Sequence, residues 1–321
     1  DVEDMLSGGI PSVKMFSIYK STVMLPSIGI QRTLEKIQKH NGIALIHAES
    51  APYIDALIEE KVAQGKTTPY DHMLTRPPIS ETMEVSNLIP LVEHTGATTL
   101  FVHMTSSMVR DPIAHAKKRG LPVYTEFCPH YLTLTDEVYT RENAQDFVCS
   151  PPMRSAEDAA RMWDLLKDGL GDIISSDHSA YTKEQKLKYK DYFPKMPNGL
   201  PGIETRGPVM FSAGVASGKI TENEFVRVCS SNTAKLMGMY PEKGRIAPGA
   251  DADIILVDPN AKYVMKTEDL HMMTDYTPFE GMEMTGRFTD VIVGGKLVIE
   301  NGKYNGRVEG KEIKRHSPTL Y

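Results

Sequence analysis

From Val13 to about Tyr240, short apolar runs alternate with longer stretches whose apolar residues recur three and four positions apart. Apolar runs of strand length bounded by turn residues mark buried strands, and the longer periodic stretches mark helices. Strands are expected over residues 13–19, 42–47, 98–103, 122–128 and 172–177. Helices are expected over residues 31–40, 52–63, 80–94, 107–119, 156–168 and 204–216. This alternation of strand and helix predicts βα units around a parallel sheet, an α/β fold. Five strands are too few to close an eight-stranded barrel. After Tyr240 the texture changes, with turn-rich sequence over residues 244–253 and short strands over 254–257, 291–293 and 296–300, the ingredients of a small β appendage. The expected organisation is a barrel over 1–243, a small β domain over 244–306 and an extended tail over 307–321 that packs on a neighbouring subunit.

Composition narrows the class. With 321 residues, 40% of them hydrophobic, the chain can bury a large core. The net charge of −6 comes from 36 basic and 42 acidic residues with no basic block, which argues against a nucleic-acid partner. No run approaches the roughly 20 apolar residues of a membrane span. The opening Asp-Val-Glu-Asp-Met lacks a signal peptide's basic and apolar regions, so a cytoplasmic location is expected. Cys128, Cys149 and Cys229 form no C-x-x-C pair and read as small buried residues, not as a disulfide or thiolate site.

Four expected strands end in, or run straight into, a residue able to ligate a metal: Lys20, His47, His103 and Asp177. Each alone has an ordinary reading. A strand-end histidine is usually hydrogen-bonded, a lysine after a tyrosine is usually solvated, and an aspartate can cap the next helix. Their repetition at equivalent places in successive units points elsewhere, because the carboxyl ends of barrel strands converge on one face. Imidazole and carboxylate without thiolate suit zinc, manganese or iron in a hydrolytic site.

Several ordered blocks carry a resemblance. They are residues 14–20 (Lys-Met-Phe-Ser-Ile-Tyr-Lys), 46–49 (Ile-His-Ala-Glu), Val102-His103, 124–132 (Tyr-Thr-Glu-Phe-Cys-Pro-His-Tyr-Leu), 149–154 (Cys-Ser-Pro-Pro-Met-Arg), 176–178 (Ser-Asp-His), 198–204 (Asn-Gly-Leu-Pro-Gly-Ile-Glu) and 249–254 (Gly-Ala-Asp-Ala-Asp-Ile). As a set they resemble the dihydropyrimidinase and hydantoinase family, cyclic amidohydrolases of the amidohydrolase superfamily. The resemblance implies a distorted TIM-type (β/α)8 barrel, of which this chain holds strands four to eight, with a small β-sandwich appendage at its C-terminus. It implies two divalent metal ions, zinc above all, bridged by a hydroxide and by carboxylated Lys20. His47 and His103 would bind one ion, and Asp177 the other while shuttling the proton. Ser150 and Asn198 would hydrogen-bond the imide edge of a small cyclic amide, although both residues are also ordinary turn formers. Relatives are commonly homotetramers, which implies the same here, with residues 272–284 and the tail contributing contacts.

The chain departs from the family pattern in two ways. It contains no His-x-His pair, which the family places on the first barrel strand, so an N-terminally truncated sequence is expected. The family's oxyanion tyrosine, sought a few residues beyond the lysine, is missing after Lys20, leaving a metal ion, Ser21 or Thr22 to polarise the carbonyl. The function expected is the opening of a hydantoin or dihydropyrimidine by the bridging hydroxide. The alternatives are a non-catalytic relative acting as an assembly protein, and a hydrolase of allantoin or of linear N-acyl substrates.

Overall fold

A computed structural model describes residues 2–306 and 310–320. Five parallel strands form one sheet in sequence order: β1 (Ser12–Phe16), β2 (Ile43–His47), β3 (Thr99–Phe101), β4 (Val123–Phe127) and β5 (Ile173–Ile174). All five lie within the expected segments or begin one residue earlier. Lys14 pairs with Leu45 and Phe16 with His47, so these residues stand side by side. Strand alternation places Val13 and Met15 on the opposite face, where they join the main core.

That core is built by helix periodicity. In the helix Ser27–Lys39 the buried residues are Ile30, Leu34 and Ile37, one stripe at spacings of four and three. They pack with Val85, Leu88, Ile89 and Val92 of the helix Pro78–Thr95 over the outer face of the sheet. Gly96 ends the second helix in the left-handed conformation, φ 68°, which a Cβ would strain.

The second sheet is antiparallel, with order β6 (Ile254–Val264), β7 (Glu283–Val293), β8 (Lys296–Glu300) and β9 (Lys303–Tyr304). Among the described residues it is one sheet, where two layers of a sandwich were expected. One of its faces is covered by the helical segment 206–216: Phe288 packs on Gly207 and, edge to face, on Phe211.

The described part of the tail is extended, as expected. Residues 310–320 have no regular structure but dock on this chain's own sheet, at the amino ends of its strands. Arg315 donates to the Met237 carbonyl at 2.6 Å and to Ser12 Oγ at 2.8 Å. The N–H groups of His316 and Thr319 donate to Gly238 and Lys235 carbonyls, and Tyr124 donates its hydroxyl proton to the Leu320 carbonyl. Gly238 must be glycine here, since a Cβ would meet the His316 carbonyl oxygen at 1.8 Å. Residues 307–309 and 321 of the expected tail lie outside the described residues. Among the described residues no helix is long and apolar enough to cross a membrane.

Candidate metal centre

His47 is the last residue of β2, His103 follows β3 by two residues, and Asp177 follows β5 by three. The parallel sheet therefore delivers all three to one end. The imidazoles of His47 and His103 stand edge to face, 4.4 Å between centroids, and both are buried. Their protonated forms are disfavoured by burial, most strongly at His103, where His47 and Lys14 add to the effect. Neutral imidazoles keep the lone pair that a metal ion needs. Asp177 is half-buried, and burial raises its carboxyl against the pull of Lys14 and His47.

Lys20 is not part of this group. β1 ends at Phe16, and Lys20 lies in an exposed turn where the N–H groups of Thr22, Val23 and Met24 all reach back to the Tyr19 carbonyl. The lysine that the strand carries to the centre is Lys14, on the inner face beside Leu45. Its ammonium is within electrostatic reach of Asp177, Glu126, His47 and His103. Its surroundings lower its pKa through desolvation, opposed by the two carboxylates, while the side chain stays accessible on the open side of the sheet.

Moving the lysine to Lys14 also recovers a tyrosine five residues on. Tyr19 sits with its ring 5.5 Å from His47 and 5.8 Å from the Arg76 guanidinium, and its phenol is hydrogen-bonded with Ser150. Ser150 Oγ donates to Asn198 Oδ1 at 3.1 Å, so both expected substrate residues stand together beside this phenol. Tyr19, His103 and Asp177 have φ of 70°, 43° and 44°. Side chains larger than glycine pay about 1–3 kcal/mol for such strained conformations, which persist where surrounding contacts impose them. At His103 the contacts are visible: Glu126 Oε1 accepts from its N–H at 3.2 Å, and the Glu126 carbonyl accepts from Met104 at 2.8 Å.

Behind His47 lies a buried ionic support. Its Nε2–H donates to Glu49 Oε2 at 2.7 Å, and Arg76 donates to the same oxygen at 2.8 Å. Burial alone would raise the Glu49 carboxyl; Arg76 and His47 reverse this and hold it at about 2. A carboxylate on Nε2 fixes the tautomer and leaves Nδ1 free to ligate.

The donor set suits a divalent ion of the zinc type, and one atom asks for a partner: His103 Nδ1 is buried without a hydrogen bond. Among the described residues no group of three His, Cys, Asp or Glu side chains is placed to hold an ion. Sequence reasoning missed Lys14, Tyr19, Glu126 and the Glu49–Arg76 pair. Strand alternation, which sets Lys14 on the face opposite Val13 and Met15, was the signal for the first.

Barrel-type enzymes build their sites at the carboxyl ends of the strands, where this sheet places His47, His103 and Asp177. A profile of the amidohydrolase family matches residues 20–298. The chain belongs to that family. It is 37% identical to D-hydantoinase of Geobacillus stearothermophilus over 311 residues, 96% of this chain and 66% of the relative. To D-phenylhydantoinase of Escherichia coli O8 (strain IAI1) it is 30% identical, over 99% of this chain and 69% of the relative. A solved D-hydantoinase superposes with a TM-score of 0.96 at 34% identity, covering 99% of this chain and 70% of that one. The dihydropyrimidinase from Brevibacillus agri NCHU1002 gives 0.96 at 35%, covering 100% and 70%. The chain thus spans about two thirds of the length of these relatives.

Proposed function

We propose that the protein hydrolyses the amide bond of a cyclic diamide, a hydantoin or dihydropyrimidine, at a site holding two divalent ions. The observation that carries this reading is the joining of two groups at one end of the sheet. His47, His103, Asp177 and Lys14 form one, and the Tyr19–Ser150–Asn198 chain of hydroxyls and amide forms the other.

His47 and His103 would hold one ion and Asp177 the second, zinc being the ion that the donors fit best. We assign the bridging role to Lys14 in place of Lys20, as a carbamate, since a free ammonium at this point would repel cations. Divalent ions held here polarise a carbonyl and lower the pKa of water. The protein's own part follows from its geometry. Asp177 takes the proton from the attacking water and returns it to the departing ring nitrogen. The Tyr19 phenol donates to the carbonyl oxygen as that oxygen gains charge. Ser150 and Asn198 hold the imide edge and so orient the ring.

The test is metal content and turnover together. The intact protein, produced with bicarbonate and without chelators, is expected to carry about two ions per chain by plasma mass spectrometry and to open hydantoin or dihydrouracil. Chelation should abolish turnover, and zinc should restore it. Protein that binds no metal under these conditions would overturn the reading and point to a non-catalytic relative.

Tyr19→Phe removes the phenol's hydroxyl and, with it, the hydrogen bond to Ser150. Turnover should fall roughly 10²- to 10³-fold with metal content unchanged, the usual cost of losing an oxyanion donor. Unchanged turnover would remove Tyr19 from the chemistry.

A further inference from the structure

Lys186 is fully buried, although it lies on a short surface helix, Lys183–Leu187, held in place by its Thr182–Gln185 capping box. Its ammonium donates to the Val148 carbonyl at 2.7 Å and to the Pro197 carbonyl at 3.4 Å. Both acceptors are carbonyls, and the nearest carboxylate influence, Asp146, acts only through its field. Burial lowers its pKa to about 8, with Cys149 and Asp146 opposing. Removing an ammonium from water without a counter-ion is costly, and a residue of this kind retained in a core asks for a reason.

The two carbonyls supply one. Val148 lies two residues before Ser150, and Pro197 lies immediately before Asn198. Val148 also accepts from the Gly199 N–H at 3.0 Å, so the two segments are already stitched at one point. The ammonium is a second stitch between them, placed behind the Ser150–Asn198 contact. An apolar side chain of the same length would fill the volume but leave both carbonyls without this donor.

We infer that Lys186 is a positioning residue, pinning the Ser150 and Asn198 segments at the separation at which both face the substrate ring. The inference rests on the reading of Ser150 and Asn198 as substrate contacts. It differs from a merely structural role in what it predicts: ground-state recognition suffers, while metal binding and the chemical step do not.

The experiment compares Ser150→Ala, Lys186→Met and the double variant in the intact zinc-loaded protein with hydantoin as substrate, reading kcat, KM and metal content. Lys186→Met should raise KM roughly tenfold, the scale of a hydrogen bond from a charged group, with kcat within about twofold and metal content unchanged. The double variant should raise KM by less than the product of the single effects, because both changes disable one recognition edge. If Lys186→Met loses the fold, Lys186→Leu, which also lacks a donor, is read in the same way. A folded Lys186 variant with unchanged KM, or KM effects that simply multiply, would overturn the inference while Ser150→Ala still raises KM. If Ser150→Ala leaves KM unchanged, the substrate reading itself fails, and the inference with it.

Discussion

Replacing Lys14 with alanine is expected to empty the metal centre, whereas replacing Lys20 with alanine leaves it intact. Lys14 faces Asp177, Glu126 and both histidines from the inner face of β1, while Lys20 projects from an exposed turn. Loss of a group that merely supports a metal ligand costs about 10- to 100-fold in affinity, and loss of a bridging ligand should cost at least that. Plasma mass spectrometry should therefore find less than about one ion per chain in Lys14→Ala, with turnover of hydantoin gone. Both quantities should be unchanged in Lys20→Ala. The reverse result, metal lost only on changing Lys20, would return the bridging role to the turn.

The second large effect concerns stability. Arg154 is buried and makes three contacts: Nε donates to Thr105 Oγ1 at 2.8 Å, Nη2 to Glu81 Oε2 at 2.9 Å, and Nη1 to the Arg76 carbonyl. Thr105 in turn donates its N–H to Glu81 Oε1 at 3.1 Å. The cluster ties the loop after β3, the helix Pro78–Thr95 and the segment that begins at Cys149 into one buried unit. Arg154→Met should lower the unfolding free energy by about 3–5 kcal/mol, since it strands a buried carboxylate. Burial already raises the Glu81 carboxyl, so proton uptake will soften that loss. Pairing the change with Glu81→Leu should recover much of it, because apolar replacements of both partners leave no charge behind. Urea titrations of the single and double variants measure this. A double variant as unstable as the sum of both single changes would show that packing, not charge, sets the loss.

How much of this was legible in the sequence depends on the range of the forces involved. The parallel strands were readable because β2 to β5 are buried at almost every position, and such strands are apolar runs. His47, His103 and Asp177 were readable because each follows its run directly. Lys14 was not, for a local reason: the apolar run was taken to continue to Tyr19, which made Lys20 look like the residue at the strand end. The strand stops at Phe16, and the positive φ at Tyr19 is imposed by tertiary contacts that no pattern of polar and apolar residues encodes. The Tyr19 donor was lost with the same error, being counted from the wrong lysine. β7 was half legible. Its last residues, Val291–Ile292–Val293, stand out, but Glu283 to Asp290 mixes Gly, Thr, Arg and Asp and becomes strand only by pairing with β6. The Arg154 and Lys186 contacts join residues far apart in sequence and had no signature at all.

The docked tail imposes an order in time on the folding of a newly made chain. Ser12 and Arg315 are 303 positions apart, so at about 5–20 residues per second the start of β1 waits roughly 15–60 s for this partner to be synthesised. Through that interval the rest of the sheet can form while its amino end stays unlatched, and the last codons of this stretch close it. A stop codon just before Arg315 would thus spare every residue of the metal centre and still release a chain lacking its final fastening.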